Sequence, residues 1–113
     1  MLTAALLCLC ATAAGNDSSA DTEIEQLIDF VSASGCDFER NGTVHNSQGA
    51  ADHMRLKLSS GRRHVKTAED FIDRLVSESS WTGRDYYAIC NGERIKSRDW
   101  LYSALREQRR AAR

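Results

Sequence analysis

The chain has 113 residues, with 15 basic and 16 acidic side chains and no proline. That length holds one domain at most. A formal net charge of −1 excludes the strong positive field with which a protein gathers nucleic acid.

Residues 1 to 15, MLTAALLCLCATAAG, form an uncharged apolar run that ends in small residues. The run is too short to cross a bilayer, which needs about 20 apolar residues, so no transmembrane segment is expected. It reads as a secretory signal covering residues 1–14, cleaved after Ala13 or Ala14. Export changes the meaning of the cysteines. Cys8 and Cys10 leave with the signal, and Cys36 and Cys90 remain. An even pair in an exported domain implies one disulfide, with two free buried thiols as the alternative. The bond would close a loop spanning 54 positions and contribute roughly 3–4 kcal/mol by loop-closure entropy.

Residues 15–20, GNDSSA, have the composition of a flexible N-terminus ahead of a single domain over 21–110, with a basic tail at 111–113. A first helix is predicted from about Thr22 to Ser34. Ile24, Leu27, Ile28 and Val31 recur on one face, Asp21 can cap the start and Gly35 ends it. Asn41-Gly42 is a strong hairpin signal and predicts Cys36–Arg40 paired with Thr43–His45. A second helix runs from about Ser47 to Ser59 and stops at Gly61, with Ala50, Ala51, Met54 and Leu58 on one face. Leu56 falls almost opposite, which predicts a helix covered on two sides. GRRHVK is a basic loop. Thr67 then caps a third helix over TAEDFIDRLVSESS, with Asp70 three residues on as in a capping box. WTGRD is a turn, Asp85–Cys90 a strand, and Asn91-Gly92 another turn. A last helix begins near Ser97, with Trp100, Leu101, Ala104 and Leu105 inward. No repeat is visible. The order α-β-β-α-α-β-α predicts an α+β domain: about four helices on a small antiparallel sheet made of a hairpin and one strand, tied by Cys36–Cys90.

Four short motifs in this order carry a resemblance. They are RNG with His45, AADHMRLKL, TAEDFID, and SESSWTG followed by Tyr86 or Tyr87. Together, from about Phe38 to Tyr87, they resemble the YfeK-like family of small exported proteins of Gram-negative bacteria, a domain of unknown function. The resemblance implies a periplasmic home. It implies no activity and supplies no catalytic residues. It also makes chance matches of the sequons Asn16-Asp17-Ser18 and Asn41-Gly42-Thr43, which would matter only in a eukaryote.

Charge is segregated. Asp17, Asp21, Glu23, Glu25 and Asp29 lie together. Arg55, Lys57, Arg62, Arg63 and Lys66 form a basic stretch, and Arg106, Arg109, Arg110 and Arg113 close the chain. Acids at helix starts and bases at helix ends account for much of this. The three histidines, His45, His53 and His64, have no ligand spacing, so neither a metal nor any other cofactor is expected. Glu69, Asp70 and Asp73 sit where the helix dipole favours acids. Ser77, Ser79 and Ser80 lie in no nucleophile motif, though His53 could serve one of them as a base.

The stretch from Arg40 to Leu58 is the best candidate site. His53 and Lys57 are one helical turn apart, and the hairpin turn can hold Arg40 over the same end. Such a cluster can bind a carboxylate or phosphate. It can also be structural, with Lys57 spread over the core and Arg40 paired to Glu69 or Asp70. The expectation is a non-catalytic binding domain using Arg40, His53, Lys57 and Arg55, with Arg62 to Lys66 as outer contacts. Its partner would be an anionic ligand, a peptide or an envelope protein. The alternatives are a small hydrolase pairing His53 with Ser79 or Ser80, and a purely structural envelope protein.

Overall fold

The computed structural model describes residues 19–113, so the signal segment, its cleavage point at Ala13 or Ala14 and most of the N-terminal segment lie outside the described residues. Four α-helices and four strands follow: α1 Ala20–Ala33, β1 Asp37–Arg40, β2 Thr43–His45, α2 Ser47–Gly61, α3 Ala68–Leu75, β3 Tyr87–Cys90, β4 Glu93–Lys96 and α4 Ser97–Ala111. A short 3-10 turn, Arg62–His64, follows α2. The strands form one antiparallel sheet in the order β2-β1-β3-β4. The domain is α+β, and the disulfide is Cys36–Cys90 with Cα atoms 4.6 Å apart.

Side chains alternate across a strand, which sets Cys36, Phe38 and Arg40 beside Tyr86, Ala88 and Cys90 on the helix-facing side of the sheet. Phe38 and Ala88 pair at its centre and are buried. Ile24, Leu27, Ile28 and Val31 of α1 reach the same core, as do Phe71 and Ile72 of α3 and Leu101 and Leu105 of α4, all at most 1 % exposed. Each large apolar side chain buried this way contributes about 1.5–3 kcal/mol. Trp100 packs on Phe38 and Phe30, with ring centroids 5.3 and 4.7 Å away.

Four details depart from the sequence reading. Ser19, not Asp21, caps α1 by accepting the Thr22 amide at 3.2 Å. α3 ends at Leu75, short of the expected end at Ser80, because Val76 leaves helical geometry and the Ser77 hydroxyl donates back to the Ile72 carbonyl. Residues 77–79 then run alongside 84–86: the Tyr86 amide donates to Ser77 O, and the Ser79 amide to Arg84 O, both at 2.9 Å. Gly61 ends α2 as expected, and does so without a positive φ. A Cβ there would lie 2.7 Å from Leu75 Cδ2, so close helix packing is its reason. Leu56 is not covered; it is 64 % exposed.

The fourth departure is a repeat. β4, unforeseen in the sequence, completes a second strand–Asn-Gly–strand–helix unit that copies the first fifty positions later: Asp37 to Tyr87, Asn41 to Asn91, Ser47 to Ser97. Both turns hold two positive φ angles, 51° and 81° at Asn41 and Gly42, 52° and 79° at Asn91 and Gly92, as a two-residue hairpin requires. The pairs Asp37–Ile89 and Glu39–Tyr87 interchange under that offset, and Phe38–Ala88 maps onto itself. An approximate two-fold axis therefore passes through Phe38–Ala88. The same operation carries the position of the disulfide, Cys36–Cys90, onto Tyr86–Arg40.

Candidate binding cleft

At the sheet end opposite the disulfide, Arg40 and Tyr86 face α2 in place of a covalent staple, and the surface opens into a cleft of about 440 Å³. Arg40 comes from the end of β1 and is followed by the tight Asn41-Gly42 turn. His53 and Lys57 come from successive turns of α2. Leu56, Ser60, Gly61, Leu75, Ser79, Ser80 and Trp81 supply the rest. Three of the expected site residues are thus brought together.

Arg40 Nη1 lies 3.0 Å from both Nδ1 and Nε2 of His53. Equal distances to the two nitrogens place the guanidinium over the ring, not in line with one lone pair. Burial first, then the charges of Arg40, Lys57 and His45, push the His53 pKa down to about 4, so the imidazole is neutral at physiological pH. Burial and Arg40 also lower the pKa of His45. The Lys57 ammonium donates to the Tyr86 hydroxyl at 3.2 Å and sits 5.0 Å from its ring centroid. Arg40 Nε is buried without a hydrogen-bond partner among the described residues.

The acids offered to Arg40 by sequence reasoning are engaged elsewhere. Arg109 holds Glu69 through two bonds of 2.9 Å, and also Glu23 at 2.7 and 2.9 Å. Arg109 hydrogen bonding is also the main reason the Glu69 pKa is lowered. Asp70 accepts the Lys66 amide at 3.0 Å. The cleft lining contains no Asp or Glu. Its charges at neutral pH are the two cations.

Arg55 does not belong to this site. It points to α1 and pairs with Glu25 at 3.5 Å and Asp29 at 3.3 Å, since one residue along a helix turns a side chain by about 100°. Arg62 pairs with Asp21 at 2.7 Å, and none of Arg62 to Lys66 lines the cleft. The basic stretch of the sequence therefore divides between surface ion pairs and the site.

Sequence reasoning missed Tyr86 and Trp81 as lining residues. Trp81 is 97 % exposed on a turn that is firmly pinned. Ser79 Oγ accepts the Trp81 and Thr82 amides at 3.2 and 3.3 Å and Asn41 Nδ2 at 3.3 Å, while Thr82 Oγ1 donates to Asn41 Oδ1 at 2.8 Å. An exposed tryptophan between a serine run and a Thr-Gly turn was the available signal. The same bonds bear on catalysis. His53 and Ser79 line one cleft, yet Ser79 Oγ is a structural acceptor, the His53 nitrogens face Arg40, and no hydrogen bond joins the two among the described residues.

No group of three or more potential metal ligands occurs among the described residues, and no described helix is long and apolar enough to cross a membrane.

Comparison with known proteins places these features in context. A segment of 49 residues is 51 % identical to the uncharacterized protein YfeK of Salmonella typhimurium, covering 43 % of this chain and 41 % of that protein. The chain thus matches less than half the length of this relative. No solved structure matches it. The model of a family of unknown function, DUF5329, matches residues 18–109, a span that holds every helix-facing residue of the sheet and the whole cleft, and the chain belongs to that family.

Proposed function

We propose that this protein is a non-catalytic binding domain that captures an anionic group between Arg40 and Lys57. The observation that carries the reading is the one-sided lining: two cations without a carboxylate beside them, next to a neutral imidazole. A carboxylate or phosphate oxygen satisfies guanidinium donors well, and Arg40 brings its guanidinium to this cleft. The disulfide supports an oxidising setting such as the periplasm, to which the apolar leader would direct the chain.

The test is a titration with acetate and with inorganic phosphate at neutral pH, followed by amide and side-chain NMR shifts. Shifts should concentrate at Arg40, Lys57 and Tyr86, and should vanish in an Arg40→Gln/Lys57→Met variant that keeps its fold. Shifts scattered over the surface lysines and arginines, or none at all, would overturn the reading. Mass spectrometry of the protein recovered from the periplasm checks export: a chain beginning just after Ala13 or Ala14 supports it, and an intact leader contradicts it.

A further inference from the structure

Resting on that reading, we infer that the cleft takes an amphiphilic carboxylic acid, in which the carboxylate sits at Arg40 and Lys57 and an apolar body, about one aromatic ring in size, lies against Trp81 and Leu56. Three observations support this beyond anion capture.

The first is Trp81. An indole 97 % exposed ordinarily reflects a mobile segment, because a tryptophan can bury 150–250 Å² on contact. Here the turn beneath it is fixed on both sides. The Gly83 amide closes the turn on Ser79 O at 2.9 Å, and Ser79 and Asn41 tie it to the hairpin. The backbone that carries the ring is therefore ordered before binding, which spares the entropy of fixing the turn.

The second is Leu56, 64 % exposed on the same cleft. Leu75 and Tyr86 continue the apolar lining inward from it. Apolar surface thus runs from the lip toward the cations. A bare inorganic anion would leave that surface in water.

The third is size and charge. A volume of about 440 Å³ is within the range of small-molecule sites. Two cations and a neutral imidazole call for an anion. The planar fork of Arg40 suits a carboxylate, which it can engage through two parallel bonds.

Such an acid could be free in solution or be the C-terminal residue of a peptide, and four probes separate these cases: acetate, phenylacetate, N-acetylglycylphenylalanine and the C-terminal amide of that dipeptide. Binding is read by calorimetry and by Trp fluorescence. The aromatic acids should bind about tenfold or more tighter than acetate, equivalent to about 1.4 kcal/mol, and the amide should lose that binding. Trp81→Ala should abolish the advantage of the aromatic acids over acetate, and the exposure of this side chain keeps the variant folded. Lys57→Met should weaken all three acids together. A tighter dipeptide acid identifies a polypeptide C-terminus as the source, and a tighter phenylacetate identifies a free acid. Either result supports the inference. Equal binding of acetate and the aromatic acids, or an aromatic advantage that survives Trp81→Ala, overturns it while leaving anion capture in place. Absence of binding by every acid and by inorganic phosphate overturns both.

Discussion

Acidification should destabilise this domain through one imidazole. The His53 pKa is held at about 4 in the folded chain, against 6.5 for the ordinary side chain. Above pH 6.5 the ring is neutral in both states and contributes no pH dependence. As pH falls through 6.5 the unfolded chain takes up a proton that the folded chain refuses, so stability declines until about pH 4, where the folded form also protonates. At 1.36 kcal/mol per pKa unit the ceiling is about 3.4 kcal/mol. The ring borders an open cleft, and solvent screening reduces that to about 1.5 kcal/mol. The assay is urea unfolding at neutral pH and at about pH 4.5, on the wild type and on His53→Asn, which keeps a polar side chain without the titration. The lowered carboxylates Glu39, Glu69 and Asp70 titrate in both proteins and cancel in the difference. The wild type should lose about 1.5 kcal/mol more than the variant. Equal losses, or an imidazole that titrates near 6.5 by NMR, would refute the reasoning.

Replacing Cys36 and Cys90 by alanine should cost about 4 kcal/mol in urea unfolding, the loop-entropy value for a separation of 54. Wild type held in reductant should match it, and a loss under about 1 kcal/mol would contradict the entropic account. Gly61→Ala forces Leu75 to move from a 2.7 Å approach and should destabilise by about 1–2 kcal/mol, against near neutrality if the leucine rotates freely. Arg40→Cys with Tyr86→Cys should form a second disulfide spontaneously, because the two-fold axis places that pair as it places Cys36 and Cys90. Two free thiols by mass and thiol titration would show that the symmetry fails at that end.

The helices were legible because burial wrote them into the sequence: the period of Ile24, Leu27, Ile28 and Val31 marks α1, and Phe71, Ile72 and Leu75 mark α3. The first hairpin was legible from Asn41-Gly42, which needs both residues at positive φ. β4 was not, because Glu93-Arg94-Ile95-Lys96 is an edge strand with a single apolar residue and no alternation to detect. The repeat was hidden for a related reason. Equivalent positions such as Arg40 and Cys90, or Val44 and Arg94, share geometry and not chemistry, and only the two Asn-Gly turns and Ser47 and Ser97 match. At the site, helical spacing brought out His53 and Lys57. It could not exclude Arg55, whose fate depends on where α1 places Glu25 and Asp29. Trp81 and Tyr86 enter the cleft through a connection whose course no local pattern specifies.

The near-symmetry of the sheet bears on how such a molecule can diversify. If the two hairpin–helix units were separate identical chains, any residue that locked one end would lock the other, and any residue that opened one would open both. Joined in one polypeptide, the ends vary independently. One end is closed by a covalent bond, and the other is free to alter its side chains without loosening the frame. Among relatives of this chain, the Arg40 end is where differences in ligand preference should accumulate, and the cysteine end is where the architecture should stay constant.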